Sequence, residues 1–495
     1  MNVRNAFAHR WTWLLVASSV WCPFAFSEFD AATAPRPNIV FVIADDCTFR
    51  DIGCYGGQAH TPNIDSLADQ GMRMTRCFQT SPMCSPTRHS IYTGLFPIRS
   101  GAYPNHTRVD PTTASIVQHL EPLGYRVIHS GKSHVQPSSV FAWDHVGKAK
   151  TIDFEAIRQK IGGSIEQEQP FCLLVCSNEP HTPWNRGDRS RYPDDRIRLP
   201  PYLVDTPETR DGMARYLAEI TYFDDQVEKT LALLEEYDIV DQTLVVVVSE
   251  QGNSLPFAKW TCYDSGLQSA CIIRWPGHVE PSSVNSAMIQ YIDFLPTFIE
   301  VAGGQPDPQL DGRSLLPVMA GSPNHRSHVF GQMTTRGIHH GSEHFGIRSV
   351  RSDRYKYIWN FTPEVEFRNA CTESPEFQSW IRQANAGDED AKRLVHQYRW
   401  RDAIELYDIQ NDPLELNNLA DDPGLADVQA DLKQRLDRWM SDCGDRGQAT
   451  EMAALEHQNR ARKKTRSAGK KKSSAFVPPS GSPMGSRFAG SAAPR

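Results

Sequence analysis

Asn38-Ile39-Val40-Phe41-Val42-Ile43-Ala44 is an almost unbroken apolar run, and it predicts a strand buried on both faces of a sheet. Three further short β-rich runs, at residues 125–129, 171–176 and 244–248, alternate with helical segments along the chain. This alternation is typical of an α/β domain whose central sheet is covered by helices. We therefore predict an α/β domain over residues 36–324.

The pattern changes after about residue 325. Short runs at residues 329–331, 346–359 and 404–408 predict strands of a smaller antiparallel sheet. A helix with one apolar face is expected to pack on that sheet, from the spacing of Val428, Leu432, Leu436 and Trp439. We predict a smaller α+β domain over residues 325–446.

The last segment, residues 447–495, is rich in Lys, Arg, Ser, Pro and Gly, and we predict a basic, disordered tail. Eight Lys and Arg residues lie between Arg460 and Lys472. Removing these eight positive charges from the net charge of −7 leaves about −15 on the remaining chain. Such an acidic body gives no support to nucleic-acid binding, and we expect no nucleic-acid partner.

The N-terminus has the pattern of a secretory signal. Arg4 and Arg10 form a basic region, residues 11–26 are largely apolar, and small residues allow cleavage after Ser27 or, alternatively, after Ala34. The apolar run is shorter than the roughly 20 residues of a membrane span. We predict a signal peptide over residues 1–27, an exported protein (periplasmic, secreted or vesicular) and no integral membrane span.

Eleven cysteines are scattered along the chain without the paired spacings of a zinc site. An exported protein can form disulfides, but the spacing does not indicate which cysteines pair.

Polar side chains follow each of the four strongest predicted strands. The carboxyl ends of the parallel strands of an open sheet form one edge, where ligands bind. Each segment taken alone also fits a turn, a cap or a surface loop. The segments expected at this edge are Asp45-Asp46, Gly131-Lys132-Ser133-His134, Asn178-Glu179-Pro180-His181 and Glu250-Gln251-Gly252, with Lys259 a few residues further on.

These side chains divide into two chemical groups. Asp45, Asp46, Glu250 and Gln251 offer oxygen ligands, which suit a hard cation such as Ca²⁺ or Mg²⁺. The second group supplies positive charge for an anion and histidines that can move protons, and comprises Arg88, Lys132, Lys259, His134 and His181. Together they indicate a pocket for a multiply charged oxyanion, sulfate or phosphate.

Cys84 precedes Pro86 and a predicted helix that runs through Arg88, Ile91 and Tyr92, so a group at this position faces the positive end of that helix. A thiolate is too soft to suit a hard cation, which makes an unmodified Cys84 a poor fit to this pocket.

Cys84-Ser85-Pro86-Thr87-Arg88 resembles the core motif of type I sulfatases: Cys, any residue, Pro, then Ser, Thr, Cys or Ala, then Arg. The resemblance covers about residues 37–442. It implies an alkaline-phosphatase-like fold with a large mixed sheet flanked by helices, and a smaller C-terminal domain with an antiparallel sheet. It also implies that a formylglycine-generating or other sulfatase-maturing enzyme oxidises Cys84 to formylglycine. The expected cofactor is one Ca²⁺ per chain, with Mg²⁺ as the second choice.

The resemblance assigns roles to individual residues. The metal ligands would be Asp45, Asp46, Glu250, Gln251 and the modified Cys84. Arg88 would hold the hydrated aldehyde, while Lys132 and Lys259 would bind the sulfate oxygens. His181 would protonate the leaving group, and His134 would take a proton from the second hydroxyl of the hydrate, which expels sulfate.

This sequence departs from the family pattern at two places. The family usually has Asp followed by Asn or His where this chain has Glu250-Gln251, so the coordination geometry of the metal is in doubt. Thr87 stands where Ser is commoner, which bears on recognition by the maturing enzyme.

Several stretches most resemble heparan N-sulfatases (sulfamidases), among them residues 131–137, 171–181, 312–317 and 348–350. This resemblance implies a sulfated glycosaminoglycan or related carbohydrate as substrate, cleaved at a sulfate ester or a sulfamate. His339, His340 and His344 lie in a Gly-rich loop that either contacts the sugar or is a plain surface loop.

Two alternatives remain open. One is a phosphatase or phosphodiesterase of the same superfamily, although such enzymes use Ser or Thr as nucleophile and two zinc ions held by several histidines. The other is a non-catalytic protein that binds sulfated glycans, which only the unusual Glu250-Gln251 pair suggests.

Overall fold

The computed structural model describes residues 36–458, which belong to one compact unit. The predicted signal peptide and the tail beyond residue 458 lie outside the described residues. Within residues 36–458, no helix combines the length and apolar character that crossing a bilayer requires.

The secondary structure alternates strands and helices in the first half and becomes mainly antiparallel in the second. The strands are β1 (Asn38–Ile43), β2 (Met72–Phe78), β3 (Arg126–Gly131), β4 (Asp144–Val146), β5 (Phe171–Cys176), β6 (Thr243–Val248), β7 (Gln268–Arg274), β8 (Ser283–Asn285), β9 (Ile289–Gln290), β10 (Val329–Thr334), β11 (Gly346–Arg351), β12 (Tyr355–Asn360) and β13 (Ile404–Asp408). The helices are α1 (Pro62–Asp69), α2 (Cys84–Thr93), α3 (Ile116–Leu120), α4 (Phe154–Glu166), α5 (Pro207–Glu236), α6 (Asp264–Leu267), α7 (Phe294–Val301), α8 (Leu316–Met319), α9 (Pro375–Asn385), α10 (Glu389–Arg399), α11 (Ala426–Asp442) and α12 (Gln448–Ala453).

The large sheet has the order β4-β3-β5-β1-β6-β7-β2-β8, and β9 also pairs with β2. Its strands β3, β5, β1 and β6 are parallel neighbours. Successive residues of β1 enter different apolar clusters: Val40 and Val42 pack on one face of the sheet, and Phe41 on the other. The unbroken apolar run of β1 therefore reflects burial on both faces, as predicted.

Strands β2 and β7 make the large sheet mixed, because β7 runs antiparallel to both β6 and β2. Neither strand is predicted by the sequence pattern. In β2, Arg73 and Arg76 interrupt the apolar pattern, which weakens the signal of a buried strand.

The second sheet is antiparallel, with the order β10-β11-β12-β13. Helix α11 covers it through Leu432, Leu436 and Trp439, which are buried together with Val350 and Leu406. The large mixed sheet flanked by helices and the smaller antiparallel sheet confirm the predicted fold class.

Helices α9 and α10 follow β12 in sequence but pack on the helical layer of the large sheet. Trp380 of α9 is fully buried, and its Nε1–H donates to Thr209 Oγ1 of α5 at 2.8 Å. Residues beyond 325 thus contribute to the core around the large sheet, and the division at residue 324 stays a prediction.

The prediction of a disordered segment starting at residue 447 is wrong for its first part. Residues 448–457 form α12 and a following 3₁₀ turn. Glu451 is buried and accepts a hydrogen bond from Thr334, and the Tyr103 hydroxyl donates to the Thr450 carbonyl at 2.7 Å. These partners are distant in sequence, so local composition does not reveal them.

Candidate active site

Four parallel strands end side by side and bring their following residues to one edge. The last paired residues are Gly131, Cys176, Ile43 and Val248, of β3, β5, β1 and β6. Gly131 has a φ of +95°, and a Cβ there would lie 2.0 Å from the Cys176 carbonyl oxygen. Only glycine allows β3 to turn this closely past β5 into the segment that carries Lys132 and His134.

Three carboxylates and one cysteine meet at this edge, and all four side chains are buried. One ligand atom each of Asp45, Asp46, Cys84 and Glu250 lies within 4.8 Å of the others. Cys84 Sγ lies 3.5 Å from Asp45 Oδ1 and 3.7 Å from Asp46 Oδ1. The structure therefore brings together the side chains that the sequence analysis assigned to a metal.

Gln251 completes this group. Its Nε2 lies 2.6 Å from Asp46 Oδ1 and 2.8 Å from Cys84 Sγ, whereas its buried Oε1 has no hydrogen-bond partner among the described residues. A half-turn of the amide would place this oxygen beside the carboxylates. Three carboxylates and an unused amide oxygen fit a hard divalent cation such as Ca²⁺.

Three cations balance the three carboxylates. Arg88 binds Glu250 through two hydrogen bonds, of 3.0 and 3.1 Å, and donates to the Lys132 carbonyl at 2.6 Å. Lys132 pairs with Asp45, and Lys259 Nζ lies 2.5 Å from Asp46 Oδ2. Burial alone would raise the pKa of Asp45, but the Lys132 ammonium and its other partners hold that pKa well below its usual value.

Helix α2 presents Cys84 at its first position, and all ten of its residues are buried. Burial raises the pKa of the Cys84 thiol far above its usual value, and the Lys132 and Lys259 ammonium groups offset only part of this shift. The unmodified side chain is therefore a neutral thiol at neutral pH, and a weak nucleophile.

The two predicted proton-transfer residues lie beside the charged group. His181 Nδ1 is 2.6 Å from the Thr182 carbonyl oxygen, and its Nε2 is 3.6 Å from Asp46 Oδ2. His134 is held through Nε2, which lies 3.0 Å from His106 Nδ1, and its buried Nδ1 has no partner within residues 36–458. Burial lowers the pKa of both rings, most strongly for His134, where the charges of Lys132 and His106 add to the effect.

A cavity of about 530 Å³ opens over these residues. Of the three histidines of the Gly-rich loop, His339 lines this cavity, and His340 and His344 are not in its wall. The cavity is also lined by three residues that the sequence did not predict: His106, Ser254 and Trp260. Ser254 could have been suspected, since it lies between Gln251 and Lys259; its hydroxyl donates to Asp46 Oδ2 at 3.0 Å.

Comparison with known families identifies this arrangement. A family profile described as Sulfatase matches residues 37–304, which is more than half of the chain. The chain belongs to the sulfatase family. A second profile, described as N-sulphoglucosamine sulphohydrolase, C-terminal, matches residues 252–378 and 373–442 of this sulfatase. The predicted resemblance to type I, sulfamidase-like sulfatases and the predicted sulfuric ester hydrolase activity are confirmed.

Individual relatives cover most of the sulfatase. It is 32% identical over 431 residues to an ulvan-active sulfatase of Formosa agariphila, with 84% of this chain and 82% of the relative covered. It is 26% identical over 468 residues to the N-sulphoglucosamine sulphohydrolase of Homo sapiens, with 83% and 91% covered. The fold also matches a solved structure of a protein in complex with its substrate D-glucosamine-2-N,6-O-disulfate (TM-score 0.62, 20% identity, 83% and 99% covered).

The ten cysteines within residues 36–458 of the sulfatase are all free, and nine of them are buried. Cys84 differs from the other nine because it lies among the carboxylates and lysines of the site.

Proposed function

We propose that this sulfatase releases sulfate from a sulfated carbohydrate through a formylglycine made from Cys84. The supporting observation is the position of Cys84, with its Sγ 3.5 Å from Asp45 and 3.7 Å from Asp46, in the wall of a cavity that Lys132 and Lys259 also line. Formylglycine would replace the sulfur by oxygen; one hydroxyl of its hydrate is the nucleophile that accepts the sulfate group, and deprotonation of the second hydroxyl breaks the C–O bond to the sulfated oxygen, which expels sulfate and restores the aldehyde.

The residues that would hold a Ca²⁺ ion are Asp45, Asp46, Glu250, Gln251 and the oxidised Cys84, with Mg²⁺ as the second choice. When bound, the ion supplies positive charge that stabilises oxyanions and acidifies a hydroxyl. Each acid of the site is paired with one of its three cations, and burial raises the pKa of the Glu250 carboxyl, so the negative charge of the acids does not exceed the positive charge of the cations. A divalent cation would therefore leave an excess of positive charge, which favours an anion such as a sulfate group.

The side chains of the chain itself divide the remaining work. Lys132 and Lys259 both line the cavity, where their ammonium groups would bind the sulfate oxygens. Arg88, fixed by Glu250 and by the Lys132 carbonyl, would orient the hydrate.

Two histidines would move the protons. His181 would donate one to the leaving group, with its orientation fixed at the Thr182 carbonyl. His134 would accept one from the second hydroxyl through Nδ1, the ring nitrogen without a partner in the described part of the chain.

A sulfated carbohydrate is supported by the names of the relatives, which act on ulvan and on N-sulphoglucosamine, and by the glucosamine disulfate bound to the matching structure. We include both a sulfate ester and a sulfamate in the proposal. The glycosaminoglycan class, export of the protein and the maturing enzyme remain our predictions from the sequence.

The test combines mass spectrometry with turnover. Protein from a host with a sulfatase-maturing enzyme should carry formylglycine at residue 84, detected in the tryptic peptide of residues 77–88. It should release sulfate from glucosamine N-sulfate, D-glucosamine-2-N,6-O-disulfate or ulvan oligosaccharides, and little phosphate from an aryl phosphate. An unmodified thiol in active protein would refute the proposal.

Cys84→Ala is expected to abolish sulfate release and leave the protein folded. Cys172→Ala, which removes another buried thiol from the large sheet, is the matched control and should keep the turnover of the wild type. Retained activity in Cys84→Ala would contradict the assignment of the nucleophile.

A further inference from the structure

We propose that His106 is a positioning residue for His134, and that the C-terminal segment, residues 448–458, holds His106 in place. The inference rests on the proposed function, because it presumes that His134 accepts a proton during sulfate release.

The contact between the two histidines selects one nitrogen of His134. His106 Nδ1 lies 3.0 Å from His134 Nε2, and the ring centroids are 4.9 Å apart. When His134 donates its Nε2–H to His106, Nδ1 keeps a lone pair and can act as the base. Nδ1 is also the buried nitrogen that has no hydrogen-bond partner in the described chain. His106 would therefore set both the tautomer and the tilt of the His134 ring.

The backbones on both sides of this contact are tied to the helix that carries Cys84. The Ser85 hydroxyl donates to the His134 carbonyl oxygen at 3.0 Å and accepts the Thr107 N–H at 3.4 Å. One hydroxyl adjacent to the nucleophile position thus connects the loop of His134 with the loop of His106. The ring contact and the backbone contact restrain the same pair of loops.

The C-terminal segment binds the residues on either side of His106. Gln458 Nε2 donates to the Asn105 carbonyl oxygen at 3.1 Å, and Thr107 Oγ1 donates to the His457 carbonyl oxygen at 3.2 Å. Thr107 and Gln458 also form an antiparallel bridge. The loop is therefore held immediately before and immediately after the residue that contacts His134.

Gly337 packs closely against both Gln458 and Asn105. A Cβ at residue 337 would lie 2.1 Å from Gln458 Nε2 and 2.4 Å from the Asn105 carbonyl oxygen, and its φ is +85°. Gly337 also lines the cavity. The absence of a side chain here lets the C-terminal segment reach the wall of the active site.

The first test distinguishes the effect of the His106 ring from the effect of the backbone conformation at residue 106. His106 has a φ of 57°, in the left-handed region that Asn and Gly adopt with least strain. His106→Asn keeps an acceptor near the position of Nδ1, whereas His106→Gly removes the ring. We expect His106→Gly to lower kcat for the carbohydrate probe that the wild type turns over by about 10- to 100-fold, with little change in KM. His106→Asn should retain most of kcat.

Added imidazole should restore turnover by His106→Gly, because it can occupy the space left by the ring. A merely structural loss would not be reversed by a small base. Wild-type kcat in His106→Gly, or a loss that neither imidazole nor the Asn variant relieves, would overturn the proposal.

The second test shortens the chain. A protein that ends at Gln458 should have the kcat of the wild type, and one that ends at Gly447 should fall to the level of His106→Gly. If the segment acts through His106, combining the shorter chain with His106→Gly should add no further loss. Equal activity of the two shortened chains, or additive losses, would overturn this role of the segment.

Thr107→Val removes the hydrogen bond from Thr107 Oγ1 to the His457 carbonyl oxygen without shortening the chain. It therefore tests the role of the C-terminal segment even if the shorter protein does not fold. It should lower kcat by a smaller factor than His106→Gly, and an unchanged kcat would count against the segment's role.

Formylglycine content is measured in every variant, so that kcat refers to modified sites. A modified wild type that releases sulfate from none of the probes refutes the proposed function itself. An active wild type with an equally active His106→Gly refutes only the positioning role.

Discussion

Two groups of buried charges within residues 36–458 of this sulfatase differ in the space beside them: one borders a cavity of about 530 Å³, and the other a space of only about 10 Å³, next to Glu415. The active-site cluster consists of Asp45, Asp46, Glu250, Arg88, Lys132 and Lys259. The closed cluster consists of Asp264, Glu415, Arg351 and Lys356, and it joins α6 to strands β11 and β12 of the small sheet. Both groups balance acids with bases, so buried charge by itself does not distinguish a functional site from a structural one.

The difference lies in what each cluster leaves unused. In the closed cluster, Asp264 forms ion pairs with Arg351 at 3.0 Å and with Lys356 at 2.8 Å. Lys356 also pairs with Glu415 at 2.9 Å. Beside the active-site cluster, the amide oxygen of Gln251 and Nδ1 of His134 have no hydrogen-bond partners in the described chain, and a cavity of about 530 Å³ lies next to them. Unused donors and acceptors beside a cavity are therefore the better sign of catalysis.

The largest expected effect is on activity, from Asp46→Asn in the active-site cluster. Asn keeps the shape of the side chain and tolerates the φ of 64° at this position, but removes the charge that would bind the metal. We expect sulfate release to fall about 10³-fold. The stability should change less than the activity, because Lys259, although only 4% exposed, lines the cavity, from which water can solvate its ammonium group. Turnover assays and thermal unfolding of the same samples measure both quantities.

Calcium provides the control for this variant. A Ca²⁺ concentration about 100 times its Kd should stabilise the wild type by about 2.7 kcal/mol and leave Asp46→Asn almost unaffected. A normal calcium response in the variant would show that Asp46 does not hold the ion.

In the closed cluster the corresponding change should affect stability instead. Asp264→Asn leaves Arg351 and Lys356 buried without their main partner, which should lower the free energy of unfolding by about 3–5 kcal/mol. The kcat of the folded fraction should stay that of the wild type. Urea unfolding measures the loss of stability.

Asp353→Asn is the matched control, since Asp353 pairs with Arg76 at the surface with 69% of its side chain exposed. Its effect should lie within about 1 kcal/mol. If Asp264→Asn and Asp353→Asn lower the free energy of unfolding by similar amounts, the closed cluster does not have the structural role that we assign to it.

A smaller effect concerns pH. Burial raises the pKa of Glu415 from 4.5 to about 7, against the opposing influence of Lys356. Because the folded state holds this proton more tightly than the unfolded state, its contribution to stability is complete below about pH 4.5 and is lost as the pH rises through 7. Between pH 5 and pH 8 the wild type should lose about 2.5 kcal/mol relative to Glu415→Gln. If the free energies of unfolding of the two proteins change with pH in the same way, Glu415 does not titrate as predicted.

The sequence predicts much of the active-site cluster, because its geometry follows from a local rule. Asp45 follows β1, Lys132 follows β3 and Glu250 follows β6, and parallel neighbouring strands bring these positions to one edge. The pattern of the small sheet and of α11 was also recognisable from the periodicity of its apolar residues.

The features that sequence reasoning missed depend on long-range contacts. Asn105-His106-Thr107 resembles a glycosylation triplet, and nothing in it indicates a contact with His134 or with Gln458. Residues 448–458 lie at the start of the predicted tail, yet they are held by partners about 350 positions earlier. No window of local sequence contains both partners of such a contact.

Helix α2 has one more consequence, for the order of events during biosynthesis. Cys84 is 3% exposed, and every other residue of the helix is buried as well. If formylglycine is made from Cys84, the maturing enzyme has to reach this stretch as an extended peptide, before the large sheet closes over it. Folding and maturation then compete for the same nascent chain. A molecule that folds first would keep the buried thiol of Cys84 and lack the nucleophile.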